Sequence, residues 1–333
     1  MELAIYFANI KALLDIDEAL RSIDPDKLPG FVNTMMFGSD TSLREYYANL
    51  VGLKWIEALQ EENEGRQFSR IYFGQEFCEH LIPPPEDLEQ AYYYCMQLGW
   101  DFTYVTGYVT DAGLETLQKN LTMLSNCHGG EEIEVVVNDW GALRVLRRDF
   151  PAMKPVLGRL LHKQKRLARN TTLRSPPPIN TDGIKTSEAD LRVAQIGAYR
   201  DTCMANPAWR EELLALGVER ADLDMAPQGV VLPSLEEDDR LAFSCYYPWG
   251  YVAGGRNCLT AGMIEPAREF LVVDGSCGRP CQHYNKSADL SHYDDPVIQR
   301  GNSVFLFHGE YAAAYMQGKF PFSRLVFEPY IPI

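Results

Sequence analysis

The sequence predicts an α/β fold of the (β/α)8 TIM-barrel-like type, closed or slightly imperfect, with a helical insertion near the N-terminus. Three observations carry this prediction. Short apolar runs of strand length recur along the chain, many are followed by an amphipathic helical pattern, and the units are too numerous for a small doubly wound sheet. Alternating strands and helices connect by right-handed crossovers, which makes the sheet mainly parallel.

The elements follow in order. "ELAIYFAN" (2–9) is the first strand, and "FSRIYFGQEF" (68–77) precedes the helical "PPEDLEQAYYYCMQLG". "DFTYVTGYV" (101–109) precedes "DAGLETLQKNLTMLS", and "EIEVVVNDW" (132–140) precedes "GALRVLRRDF". "KPVLGRLLH" (154–162), "RADLDMAP" (220–227), "RLAFSCYYP" (240–248), "NSVFLFHG" (302–309) and "SRLVFEPY" (323–330) complete the strand-like runs. Two segments break the rhythm. Residues 10–65 carry two amphipathic helical patterns and read as an insertion after the first strand. Residues 171–187 are rich in proline and polar residues and read as a loop. The whole chain, 1–333, reads as a single barrel-like domain.

Composition narrows the function. The formal net charge of −15 argues against a protein that grips nucleic acid with its whole surface, because phosphate binding needs clustered Lys and Arg. One basic segment, 158–170, holds His162, Lys163, Lys165, Arg166 and Arg169. It reads as a solvated face, with an anion or RNA contact as the sharper alternative. No run approaches the roughly 18–20 apolar residues of a membrane helix. The start lacks a basic stretch followed by an apolar block, so a cytoplasmic location is expected.

In a parallel barrel, chemistry sits where the carboxyl ends of the strands meet the following loops. Glu76, Asn138, Arg159 and His162 lie at such ends, and so does Cys78. The cysteines carry the strongest signal. Cys277 and Cys281 form a C-x3-C pair with Cys258 upstream, which gathers three of the eight cysteines into residues 258–281 of the cysteine-bearing segment 245–285. Three thiols leave a four-thiolate metal site one ligand short. Cys245 and Cys78 are the two candidates for the fourth position.

The stretches "VNDWGALRVL", "APQGVVL", "YYPWGYVAGGRNC" and "CGRPCQHY" resemble the collagenase-like peptidases, the U thirty-two peptidases, over roughly residues 65–285. In cysteine pattern the chain is most similar to the UbiV/UbiU-like iron–sulfur branch of that family. The resemblance implies a [4Fe–4S] cluster held by Cys78, Cys258, Cys277 and Cys281. Cys78 ends "IYFGQEFC", which resembles the early cysteine motif of the UbiV-like proteins, and Cys245 is the reserve ligand. It further implies a part in oxygen-independent hydroxylation, in ubiquinone-type biosynthesis or a related modification. Its other implications are an anionic small-molecule substrate such as prephenate and a homologous partner in a heterodimer. Arg159 and Arg256, with His162 nearby, are then expected to line an anionic pocket, since Arg suits carboxylates, and Glu76 and Asn138 to orient the substrate.

Two other readings stay open. The family name implies a peptidase, but no H-E-x-x-H and no G-x-S-x-G is present, and no histidine sits in a recognisable triad pattern. The third reading is a non-catalytic, cluster-bearing subunit of a heteromeric complex.

Overall fold

The computed structural model describes residues 1–15, 68–128, 133–165, 194, 197–226, 229–233, 240–270, 277–288, 297–307 and 322–333. Most of the expected 10–65 insertion, the 171–187 loop and residues 166–170 of the basic segment lie outside them.

The expected barrel is present. Eight strands close on themselves: β1 (Glu2–Phe7), β2 (Phe68–Gly74), β3 (Asp101–Val105), β4 (Glu134–Val137), β5 (Lys154–Leu157), β6 (Arg220–Asp224), β7 (Ala242–Tyr247) and β12 (Arg324–Phe327). Every neighbouring pair runs parallel, and β12 closes the ring between β7 and β1. Helices α1 (Ile10–Asp15), α2 (Pro85–Leu98), α3 (Asp111–His128), α4 (Trp140–Asp149) and α5 (Pro207–Ala215) lie between the strands. Their apolar faces and the outward side chains of the strands, among them Leu3, Ile5, Phe7, Ile71 and Phe73, form the main core. Local chemistry sets the helix ends. Asp139 caps α4 by accepting from the Gly141 and Ala142 backbone N–H groups, and α2 starts with Pro85 and ends at Gly99 in the left-handed conformation.

The run around 302–309 departs from the expectation. Ser303–Phe307, here β11, belongs to a separate antiparallel sheet with β8 (Trp249–Gly254), β10 (Val297–Arg300) and β9 (Lys286–Ala288). This sheet and the short helices α6 (Leu259–Ile264) and α7 (Ala267–Phe270) fall between β7 and β12 in the chain. They cover the carboxyl end of the barrel. Phe77, beyond β2, and Ile331 and Ile333, beyond β12, pack with Trp249, Cys281, Ile298 and Phe305 of the cap.

Inside the barrel, a thin apolar band of Ala4, Tyr6, Tyr72, Val105, Val136, Val156, Tyr246 and Val326 separates two charged layers. The layer at the amino ends of the strands joins Arg324, Arg70 and Arg220 to Glu134 and Glu2. Arg324 donates to Glu134 at 2.6 Å and to Glu2 at 2.6 Å, and Arg70 donates to Glu2 at 2.6 Å. Burial alone would raise the pKa of Glu134, but the guanidinium groups around it, Arg324 foremost, bring it down to about 2.

Two outcomes follow from this layer. Arg324→Met leaves the partly buried Glu134 and Glu2 to Arg70 and Arg220 alone and lowers stability by about 1.5–3 kcal/mol in urea denaturation. Glu134 is depressed in the fold, so its stabilisation is complete above its ordinary value of 4.5 and is lost as pH falls towards about 2. In Glu134→Gln that component of acid destabilisation is absent from the stability–pH curve.

Candidate functional site

Cys78 owes its place to the end of β2. Gly74 has φ +139°, and a Cβ there would meet the Val105 carbonyl oxygen at 2.1 Å, so only glycine lets the chain turn here. The turn sends Phe77 into the cap seam, where its ring lies 5.1 Å from Phe305 and 5.2 Å from Tyr251, and carries Cys78 to the rim. The Glu79 carboxylate accepts from the Thr110 backbone N–H and hydroxyl, both at 2.7 Å, which pins this loop to the start of α3.

The cap supplies the other thiols. Cys258 is the N-cap of α6, its Sγ accepting from the Ala261 N–H at 3.3 Å. Cys277 Sγ accepts from the Arg279 N–H at 3.4 Å. Arg279 takes a left-handed conformation at φ 53°, uncommon for a long side chain and a form of strain that gathers at functional sites. Cys281 Sγ accepts from Gln282 Nε2 at 3.8 Å.

Cys78, Cys258, Cys277 and Cys281 line one pocket of about 50 Å³, together with Arg256, Arg268, Arg279, Tyr108 and Asn302. Cys245 is elsewhere: its side chain is fully buried in the core between the barrel wall and the helices. Burial pushes the Cys78 thiol up to about 12, with repulsion from the other three cysteines adding to it, and burial also raises Cys258 and Cys281. Four thiolates here would repel one another, so a cation among them is what would let them ionise together. Among the described residues, no group of three His, Cys, Asp or Glu side chains is arranged to hold a single metal ion.

The other expected site residues divide. Arg256 reaches the cysteine pocket and donates to the Val109 carbonyl at 2.9 Å. Glu76, Asn138 and Arg159 form a sealed network under the cap instead, with exposures of 0%, 1% and 1%. Arg159 donates to Glu76 at 2.6 Å, to Asp224 at 2.7 Å, to Glu328 at 2.5 Å and to the Trp249 carbonyl of the cap at 3.3 Å. Its guanidinium lies 4.0 Å above the centre of the Tyr246 ring. Asn138 joins three loops: it donates to the Thr106 carbonyl and to Glu76, and accepts from the Leu160 N–H. His162 is buried beside the Asp222 carbonyl.

Asp224, Glu328, Tyr108 and Asn302 escaped the sequence reading. Asp224 and Glu328 had a usable signal, since each sits at the carboxyl end of a barrel strand. Asn302 had none, because only the folded cap brings it to the pocket.

No family model matches the chain, and no curated protein or solved structure matches it either. Fold and site therefore define its class: a parallel α/β barrel whose carboxyl end is capped by an antiparallel sheet, with four thiols at the junction. Among the described residues no helix is long and apolar enough to cross a membrane.

One Arg faces three buried carboxylates, so the network favours holding a proton. Burial raises Glu328 to about 8, with Arg159 opposing and Glu76 and Asp224 adding to the rise, and its Oε2 has no hydrogen-bond partner among the described residues. Because the folded value lies above the ordinary 4.5, this contribution to stability is complete below about 4.5 and is lost as pH rises through about 8. Glu328→Gln removes that slope, so its stability gains on wild type as pH rises from about 4.5 towards 8. Arg159→Leu strands the carboxylates and costs about 3–5 kcal/mol. Urea denaturation between pH 5 and 9 reads both.

Proposed function

We propose that this chain binds a [4Fe–4S] cluster through Cys78, Cys258, Cys277 and Cys281 and serves oxygen-independent hydroxylation or a related modification. One observation carries the cluster: a thiol from the barrel and three from the cap, far apart in sequence, line the same pocket. The donor set suits the group. Clusters of this kind take four Cys thiolates, and hydrogen bonds to the sulfurs tune their potential. Here the three cap sulfurs, of Cys258, Cys277 and Cys281, each accept such a bond. Arg256, Arg268 and Arg279 offset the negative charge that four thiolates bring.

When bound, the cluster supplies one-electron redox or Lewis-acid chemistry. The protein's own residues do the rest. The cap excludes water from the barrel side of the pocket, and Arg256 presents a cation suited to an anionic substrate. The choice of hydroxylation rests on the resemblance of the "GRNC" and "CGRPC" stretches and their neighbours to the UbiV/UbiU-like branch. A cysteine peptidase needs a thiolate paired with a histidine, and the burial that lifts Cys78 to about 12 works against one there.

One feature favours the subunit reading as a second role. Met263, Ile264, Phe270 and Tyr284 are 57%, 67%, 75% and 58% exposed, on or next to the segments that carry the cap thiols. A homologous partner in a heterodimer would cover them, and its co-purification with this chain is the check.

The cluster is tested by iron and acid-labile sulfide analysis of anaerobically purified protein, wild type beside Cys78→Ala and Cys245→Ala. The expected result is iron and sulfide in wild type and Cys245→Ala, with an intact four-iron cluster lost in Cys78→Ala. Equal cluster content in all three would remove Cys78 from the ligand set. Zinc or no metal in reconstituted wild type would remove the cluster.

A further inference from the structure

The hairpin turn between β10 and β11 meets the cysteine-bearing segments from several sides. Gly301 accepts the Thr260 backbone N–H at 3.2 Å, two residues beyond Cys258. Gln299 Nε2 donates to Thr260 Oγ1 at 2.8 Å, and Arg300 Nε donates to the carbonyl of Cys281 itself at 2.9 Å. Asn302 closes the arrangement. Its carbonyl accepts the Gly255 N–H at 3.1 Å, and its side-chain Nδ2 faces the Phe77 carbonyl, the Gly255 carbonyl at 2.6 Å and the Tyr108 hydroxyl at 2.8 Å.

The chemistry of these partners fixes the orientation of the amide. Two of the three are carbonyls, which only accept, so the nitrogen must face them. Tyr108 donates its own proton to the Gly255 carbonyl and so can only accept from Asn302, whose two amide hydrogens are shared among the three partners. Asn302 is 5% exposed, so little water is present to replace these bonds.

The three acceptors lie in different parts of the fold. Phe77 immediately precedes Cys78 on the barrel loop, Tyr108 follows β3, and Gly255 lies three residues before Cys258 in the cap. The amide thus ties the peptide that carries the barrel thiol to the cap that carries the other three.

We propose that Asn302 is a positioning residue that holds Cys78 against the three cap thiols, so that its loss frees the fourth ligand of the cluster. This rests on the cluster reading above. Groups that orient ligands from outside typically change metal retention by about 10- to 100-fold.

The experiment follows release of one iron. Ferricyanide takes one electron from [4Fe–4S]2+ and becomes ferrocyanide, leaving [3Fe–4S]+ and Fe2+, and the freed Cys78 thiolate takes up a proton from solvent. The three-iron product has its own EPR signal, and a ferrous chelator counts the iron. Wild type, Asn302→Ala, Asn302→Asp and Gln299→Ala are compared after anaerobic reconstitution, with far-UV circular dichroism to check folding. Asn302→Ala releases the iron about 10- to 100-fold faster than wild type. Asn302→Asp is at least as fast, because its carboxylate would face two carbonyls. Gln299→Ala, which anchors the turn only within the cap, stays at the wild-type rate.

A double-mutant cycle separates positioning from general loosening. In a Cys78→Ala background, which keeps at most a three-iron cluster, Asn302→Ala leaves the iron content and the three-iron EPR signal unchanged if it acts through Cys78. Should the alanine variant not fold, Asn302→Ser carries the same measurement. A folded Asn302 variant that releases iron at the wild-type rate overturns the positioning role alone. So does a further loss of iron when Asn302→Ala is added to Cys78→Ala. Wild type without any cluster overturns the cluster reading and this inference together.

Discussion

Arg159 holds the carboxyl end of this barrel together. Its guanidinium reaches residues beyond β2 and β12 and at the end of β6, the first residue of the cap, and the face of Tyr246. A fully buried guanidinium is tolerable only with its charge and its donors answered, and three carboxylates at one spot are tolerable only with a cation between them. Each side enforces the other. The usual barrel mouth is thereby filled with a closed electrostatic unit, and the four thiols lie further out, at the seam between barrel and cap.

That seam explains the thiol pocket. The loop after β2 must pass from the barrel wall into the cap, and Gly74 permits the turn while Phe77 buries in the cap core. Cys78 comes next in the chain and cannot go far from the seam. Helix α6 and the turn through Pro280–Gln282 belong to the cap and pack against it from the other side. Four thiols converge because two independent chain segments are each anchored by apolar burial on either side of one boundary. The residues that seal the boundary also govern the pocket.

The barrel was legible because its signal is periodic. Strand-length apolar runs followed by amphipathic helices survive in the sequence whatever the tertiary detail, and they mark the strands that form the ring. The cap was not. "NSVFLFHG" has the same apolar character as a barrel strand, and nothing local tells parallel pairing in a ring from antiparallel pairing in a small sheet. The three late cysteines stood out by spacing, whereas choosing between Cys78 and Cys245 took a motif likeness, and the fold separates the two by burial and direction. Arg159 shows the opposite difficulty. An arginine at a strand end reads as a ligand for an anionic substrate, and its engagement by Glu76, Asp224 and Glu328 depends on contacts across up to 169 residues of sequence.

The most direct test of the central claim is iron K-edge X-ray absorption on anaerobically purified protein, because it reads the atoms around the metal without relying on activity. The account predicts an iron environment made of sulfur alone with a second shell of iron neighbours, as four thiolates and a cluster require. An iron site dominated by nitrogen or oxygen ligands, or one with no iron neighbours, would contradict it.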